Sequence, residues 1–197
     1  VPISNPESSA HAGRGRLRRW SHATCLTVAV GLAPMATPVL ASEAQLDIFG
    51  FTLRITDADG AITHVLEGER MQQFDDIGEQ HAEKPRLELL TDGHIDWIWT
   101  APAAIHYPAA QRLELIGATE GLRLPSPLHP QTEIETADVT VLTESREILT
   151  DARATMVRPG LFVTGIGMYA DVDADIIELQ SDVNTVYAPA DSEGTPP

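Results

Sequence analysis

From Leu46 to Tyr187 the apolar residues recur at every second position, and this period confines the chain to a sheet protein, because alternate side chains of a strand project to one face. Phe49, Phe51, Leu53 and Ile55 form one such set. Asp57-Ala-Asp-Gly60 then supplies turn chemistry, with Gly60 as its turn glycine, before the pattern resumes at Ile62 to Leu66. Leu87 and Leu89 follow Pro85, and Ile95, Trp97 and Trp99 follow Asp92-Gly93. Leu113 and Leu115 precede a second turn glycine, Gly117; Leu122 and Leu124 precede the break at Pro125-Ser-Pro127. Ile134 to Val141, Ile148 to Val157, Leu161 to Met168, Ile176 to Leu179 and Val183 to Tyr187 complete the series. Glu67 to Gln80 could place Met71, Phe74 and Ile77 on a helical face, but its β-rich flanks predict strand and turn there as well. Short runs at intervals of about 8 to 12 residues, with turn signals between them, predict an all-β sandwich, jelly roll or barrel.

A weak internal repeat sharpens that expectation. Ile105-His-Tyr107 leads to Leu113-Glu-Leu115 and Gly117, Val139-Thr-Val141 to Ile148-Leu149 and Asp151, and Met168-Tyr169 to Ile177-Glu-Leu179 and Ser181. With Leu115, Leu149 and Leu179 as equivalents the spacings are 34 and 30 residues. Each unit reads as a strand, a polar turn and a returning strand, so the chain is built by stacking hairpins into an elongated groove.

The first forty residues are an address. Arg14-Gly-Arg-Leu-Arg-Arg19 is a basic region, and Ala23 to Ala41 follows without a formal charge. The uncharged run is about long enough to cross a bilayer, which takes about 20 residues. Pro34 and Pro38 break its second half, and Val39-Leu40-Ala41 resembles a cleavage site ahead of Ser42. Signal peptide and membrane anchor both stay open, and both put residues 42–197 outside the cytoplasm. The expected layout is a targeting segment over 1–41, a β-domain over 42–189 and a disordered tail over 190–197.

Charge and chemistry narrow the function. Beyond residue 41 the chain carries 28 acidic and 9 basic side chains, a surface that repels phosphate backbones and excludes nucleic-acid binding by a basic patch. Cys25 is the single cysteine, so neither an internal disulfide nor a cysteine-based zinc or iron-sulfur site can form. No two of the seven histidines stand at i,i+4, and no metal motif occurs. Asp171-Val-Asp-Ala-Asp175 superficially resembles a calcium loop, but Ile176 stands where the glycine is needed and Asp182 where the bidentate glutamate is needed. There is no nucleophile elbow, phosphate loop or dinucleotide fingerprint; Gly165-Ile-Gly167 lacks the third glycine. An acidic pair at glycosidase spacing is the remaining enzymatic reading.

The strand ending in Asp57-Ala-Asp-Gly60, then Pro85-Arg-Leu87, then Trp97-Ile-Trp99, then Leu113-Glu-Leu115 with Gly117, taken in that order, resemble the LptC family, periplasmic lipopolysaccharide-export proteins of Gram-negative bacteria. Phe51-Thr-Leu-Arg-Ile-Thr-Asp-Ala-Asp-Gly60 is similar to its strand ending in an acidic-glycine turn. Lys84-Pro-Arg-Leu-Glu-Leu-Leu90, Trp97-Ile-Trp-Thr-Ala-Pro-Ala-Ala104 and Leu113-Glu-Leu-Ile-Gly117 match its next three strands, and the likeness continues to Tyr187. Asp151 departs from the repeat's glycine. The resemblance implies a twisted, V-shaped β-jelly roll that is not an enzyme and needs no cofactor or metal. It implies lipopolysaccharide as ligand, taken from the inner-membrane ABC transporter LptB2FG at the N-terminal edge strand and given to LptA at the C-terminal edge strand. It places the protein in the periplasm, associated with the inner membrane.

The candidate lipid-groove residues are then Phe51, Leu53, Ile55, Leu87, Leu89, Trp97, Trp99, Leu113, Leu115, Val139, Val141, Phe162, Ile177, Leu179 and Tyr187. A scaffold of the same architecture with a filled core is the alternative. Because the exported part is so acidic, a phosphorylated lipid would have to be gripped by its acyl chains, with its phosphates left in solvent.

Overall fold

The structure, a computed structural model, describes residues 43–187. The expectations for residues 1–41 and 190–197 fall outside that range. Eleven antiparallel strands follow one another: β1 (Leu46–Thr56), β2 (Ile62–Phe74), β3 (Glu79–Glu83), β4 (Arg86–Thr91), β5 (His94–Thr100), β6 (Ala103–Tyr107), β7 (Arg112–Arg123), β8 (Thr132–Leu142), β9 (Glu147–Arg158), β10 (Leu161–Asp171) and β11 (Ile176–Tyr187). No α-helix interrupts them among the described residues, and Pro108–Ala110 is a single 3-10 turn. The stretch Glu67 to Gln80 is strand, turn and strand.

Each long strand is creased near its middle. β2 pairs with β4 through its first half and with β3 through its second, and β7 pairs with β6 and then β5 in the same manner. The crease passes between those short strands at Lys84 and Pro102, where the Lys84 N–H donates to the Pro102 carbonyl at 2.9 Å. Along it, residues take a left-handed backbone: Gly50, Lys84, Gly117, Asp138, Gly167 and Asp182 all have φ between +47° and +85°. Gly117 therefore lies inside β7, not at a turn. Its φ of +85° creates the bulge between Leu115 and Ala118, and its N–H donates to Asp138 Oδ1 at 2.8 Å. Gly60 occupies the β1–β2 turn, its N–H donating to the Asp57 carbonyl at 3.1 Å.

The crease divides the sheet into two leaves whose inner faces meet in one core. Cross-strand partners on the first leaf run Leu53, Leu66, Leu87, Trp99, Gly121, Ile134, Met156, Val163 and Thr185. On the second leaf one row runs Ile48, Met71, Ala82, Ala104, Leu115 and Val139, and a neighbouring row runs Leu113, Val141, Ile148, Ala170 and Ile177. Removing this much apolar surface from water, at about 25 cal/mol per Å², drives the leaves together. Trp99 meets the strand beside it through the missing side chain of Gly121: a Cβ there would stand 2.6 Å from the indole.

Three further sequence assignments are corrected. Phe162 lies on the outer face, in register with Val157 and Val186, because Val163 takes the inner position opposite Met156. Leu149 faces out opposite Tyr169, and its neighbour Ile148 is the buried equivalent of Leu113, so the repeat is offset by one residue there. At the end of β7 the inner residue is Arg123, not Leu122 or Leu124.

Candidate functional site

The interior between the leaves is where the expected groove residues converge. Leu87, Leu89, Trp97, Trp99, Leu113, Leu115, Val139 and Val141 are fully buried, and Phe51 is nearly so. Trp97 and Trp99 stack with ring centroids 5.6 Å apart. Leu53, Ile55, Ile177 and Leu179 also face inward but are only partly covered, since they lie on β1 and β11, the two strands that end the sheet. Phe162 points away from the interior, and Tyr187 ends β11 opposite Leu161, 76% exposed. The middle of the interior is thus closed by packing, while its two ends present apolar side chains to solvent.

A cavity of about 810 Å³ opens beside the β1 end. Leu53, Ile55 and the β1–β2 turn wall it on one leaf; Gln111, Thr143, Glu144 and Arg146 wall it on the other, with His106 at its floor. Arg54 and Arg146 are offset there by Asp57, Glu144 and Asp173, so the lining carries no cationic excess with which to hold a phosphate.

Four ionisable groups are buried within this apolar setting: His64, His106, Arg123 and Arg146. Burial pushes the His64 imidazole down to about 4, and the nearby Arg146 charge and His106 push the same way. Burial also lowers His106, whose Nδ1 lies 2.9 Å from Gln80 Oε1. Both are neutral at neutral pH, which is the form an apolar interior tolerates. Arg146 donates from Nε to Asp173 Oδ1 at 2.6 Å and from Nη2 to Thr91 Oγ1 at 2.9 Å. Arg123 pairs with Asp96 at 3.4 Å and with Asp175, and its guanidinium lies 5.5 Å from the Trp97 ring.

Periodicity did not single out these arginines, because an inward arginine breaks the apolar pattern. Asp173 and Asp175 are engaged by them, and the Asp171 carboxylate accepts the Ala174 N–H at 2.8 Å. Hence the acidic run over 171–175 is a turn whose carboxylates are already in use. Among the described residues no group of three or more metal-ligating side chains is assembled, and no helix is long and apolar enough to cross a membrane.

Both sheet ends carry open backbone. Among the described residues β1 pairs only with β2, and β11 only with β10, leaving one row of N–H and C=O groups on each free for another strand.

Comparison with known proteins agrees with this architecture. Among solved structures, LptH from Pseudomonas aeruginosa, described as the LptA homologous periplasmic component of the conserved lipopolysaccharide transport device, superposes with a TM-score of 0.52 at 11% identity. The match covers 64% of this chain and 95% of that one, and it establishes the shared β-jelly-roll fold. No curated protein sequence matches the chain. The LptC family, described as Lipopolysaccharide-assembly, LptC-related, matches residues 29–188, most of the chain. The creased jelly roll, its apolar interior and the family match over most of the chain agree: this chain belongs to the LptC-related family of lipopolysaccharide-assembly proteins.

Proposed function

We propose that the chain is a carrier that accepts lipopolysaccharide from the inner-membrane transporter LptB2FG, holds the acyl chains between its leaves and passes them to LptA. The observation that carries this reading is the inner-face row from Leu53 on β1 to Val163 and Thr185 at the other end, apolar for nearly its whole length and bounded by two unpaired edges. Acyl chains in water cost about 0.8 kcal/mol per CH₂, so a lipid crossing the periplasm needs an apolar lining that continues from one protein to the next. Open edge strands supply the continuity, because a neighbouring strand can extend the sheet and its inner face together. In this reading β1 meets the transporter and β11 meets LptA, with the protein on the periplasmic side of the inner membrane. The energy comes from the transporter, and the carrier needs no cofactor or catalytic group of its own.

The acidic surface and the balanced charge of the cavity rim favour recognition of the tails over the phosphates. Binding of purified lipid A variants to the full chain tests this. Dephosphorylated lipid A should bind within about threefold of the native lipid, a free-energy difference under 1 kcal/mol, whereas deacylated lipid should not compete. Binding that follows the phosphates and survives deacylation would refute the reading.

A further inference from the structure

The two leaves are continuous along the crease, so they can part only on the opposite side, where their hairpin turns face each other. The first leaf presents the turns β1–β2, β4–β5, β7–β8 and β9–β10; the second presents β2–β3, β6–β7, β8–β9 and β10–β11. Towards β1 these opposed turns stand apart and enclose the cavity of about 810 Å³. Towards β11 they are tied together.

Two ties cross the opening. Arg146, in the β8–β9 turn of the second leaf, donates from Nη2 to Thr91 Oγ1 of the first leaf at 2.9 Å, and Asp173 holds its Nε at 2.6 Å. Arg123, on the first leaf, reaches Asp175 at the start of β11 on the second. The two guanidiniums are 5% and 9% exposed, whereas the Asp175 and Asp173 side chains are 50% and 62% exposed. Both cations are therefore buried in the rim with a counter-charge on one exposed turn, between Asp171 and Ile176, and Arg123 has a second in Asp96 on its own leaf. Parting of the leaves takes one partner from each buried guanidinium, Asp175 from Arg123 and Thr91 from Arg146, while Asp96 and Asp173 stay with them, and this loss favours the closed arrangement. The Val172 N–H, donating to the Arg146 carbonyl at 3.2 Å, joins the two second-leaf turns so that they move as a unit.

We propose that these ties form a clasp. The β10–β11 turn holds the leaves shut over the C-terminal half of the interior, while the β1 half stays open beside Leu53 and Ile55. Parting of the clasp opens the path along the interior from the β1 side to Ile177 and Leu179, which gives transit a gated second half. The ligand in this inference rests on the carrier reading above; the mechanics of the clasp do not.

The test uses the full chain with Cys25→Ser and nitroxide labels at His94→Cys and Ser145→Cys, on opposite leaves, with distances read by pulsed electron resonance. The clasped protein should give one narrow distribution. Thr91→Val with Asp175→Asn should give a longer and broader one, and Asp175→Glu, which keeps the charge, should leave it unchanged. An unaltered distribution in the released variant overturns the clasp. If the double variant does not fold, Asp175→Asn alone is read in the same way.

A second arm places a photoreactive residue at Leu53 or at Leu179 and offers purified lipopolysaccharide. Release of the clasp should raise capture at Leu179 severalfold while leaving capture at Leu53 as it was; equal ratios in both proteins overturn the gate. Absence of capture at both positions in both proteins refutes the carrier reading instead, and the spin-label distances then decide the clasp by themselves.

Discussion

His64 offers a direct measure of how dry the interior is. Its imidazole is fully buried, opposite Leu89 across the strand pair, with Nδ1 3.0 Å from Thr63 Oγ1 and no partner for Nε2. Burial, the Arg146 charge and His106 lower its pKa from 6.5 to about 4 in the folded protein. The folded value lies below the unfolded one, so the unfolded chain binds the proton more readily. Stability from keeping His64 neutral is present at neutral pH and is lost as the pH falls from about 6.5 towards 4. Linkage over the interval from about pH 7.5 to 4.5 gives a loss of about 2 to 3 kcal/mol from this one group. Urea unfolding of the native protein and of His64→Gln at the two pH values isolates it, because titrations not coupled to His64 cancel in the difference. The native protein should lose about 2 to 3 kcal/mol more than the variant. Equal losses would refute the dry interior and imply that water reaches His64 in the folded state.

Other expected outcomes follow from the packing. Gly121→Ala puts a Cβ within 2.6 Å of the Trp99 indole and should cost about 1–3 kcal/mol in denaturant unfolding, a cost relieved in a Trp99→Leu background. Leu115→Ala should cost about 2–5 kcal/mol, whereas Phe162→Ala, on the outer face, should change stability by about 0.5 kcal/mol or less. Proline substitutions scanned over Val183 to Val186 should abolish capture of the protein by immobilised LptA at the positions whose amides face the open edge; undiminished capture throughout the scan would remove β11 as the joining strand.

The strand pattern was legible because burial on one face writes itself into alternate residues: Leu87 and Leu89, Trp97 and Trp99, Leu113 and Leu115 are inward pairs in both sequence and structure. Alternation fails where adjacent residues are both apolar. Phe162 and Val163 fit either phase, and only the partner strand, with Met156 opposite Val163, selects one. The crease was half legible. Gly117 announces a left-handed backbone but not whether the chain turns there or only kinks, and Lys84, Asp138 and Asp182 share that backbone without a glycine to mark it. The clasp was hidden altogether, because Arg146 and Thr91 are 55 residues apart and meet only when the leaves fold together.

The central claim is that acyl chains travel between the leaves, and site-specific photocrosslinking in cells tests it most directly. Probes at Leu53 and Ile177 are inward yet partly accessible; Thr52 and Glu178, their neighbours, face out. With the transporter hydrolysing ATP, lipopolysaccharide should be captured from Leu53 and Ile177 and not from Thr52 or Glu178. Equal capture from both faces, or capture from the outward pair alone, would contradict the account.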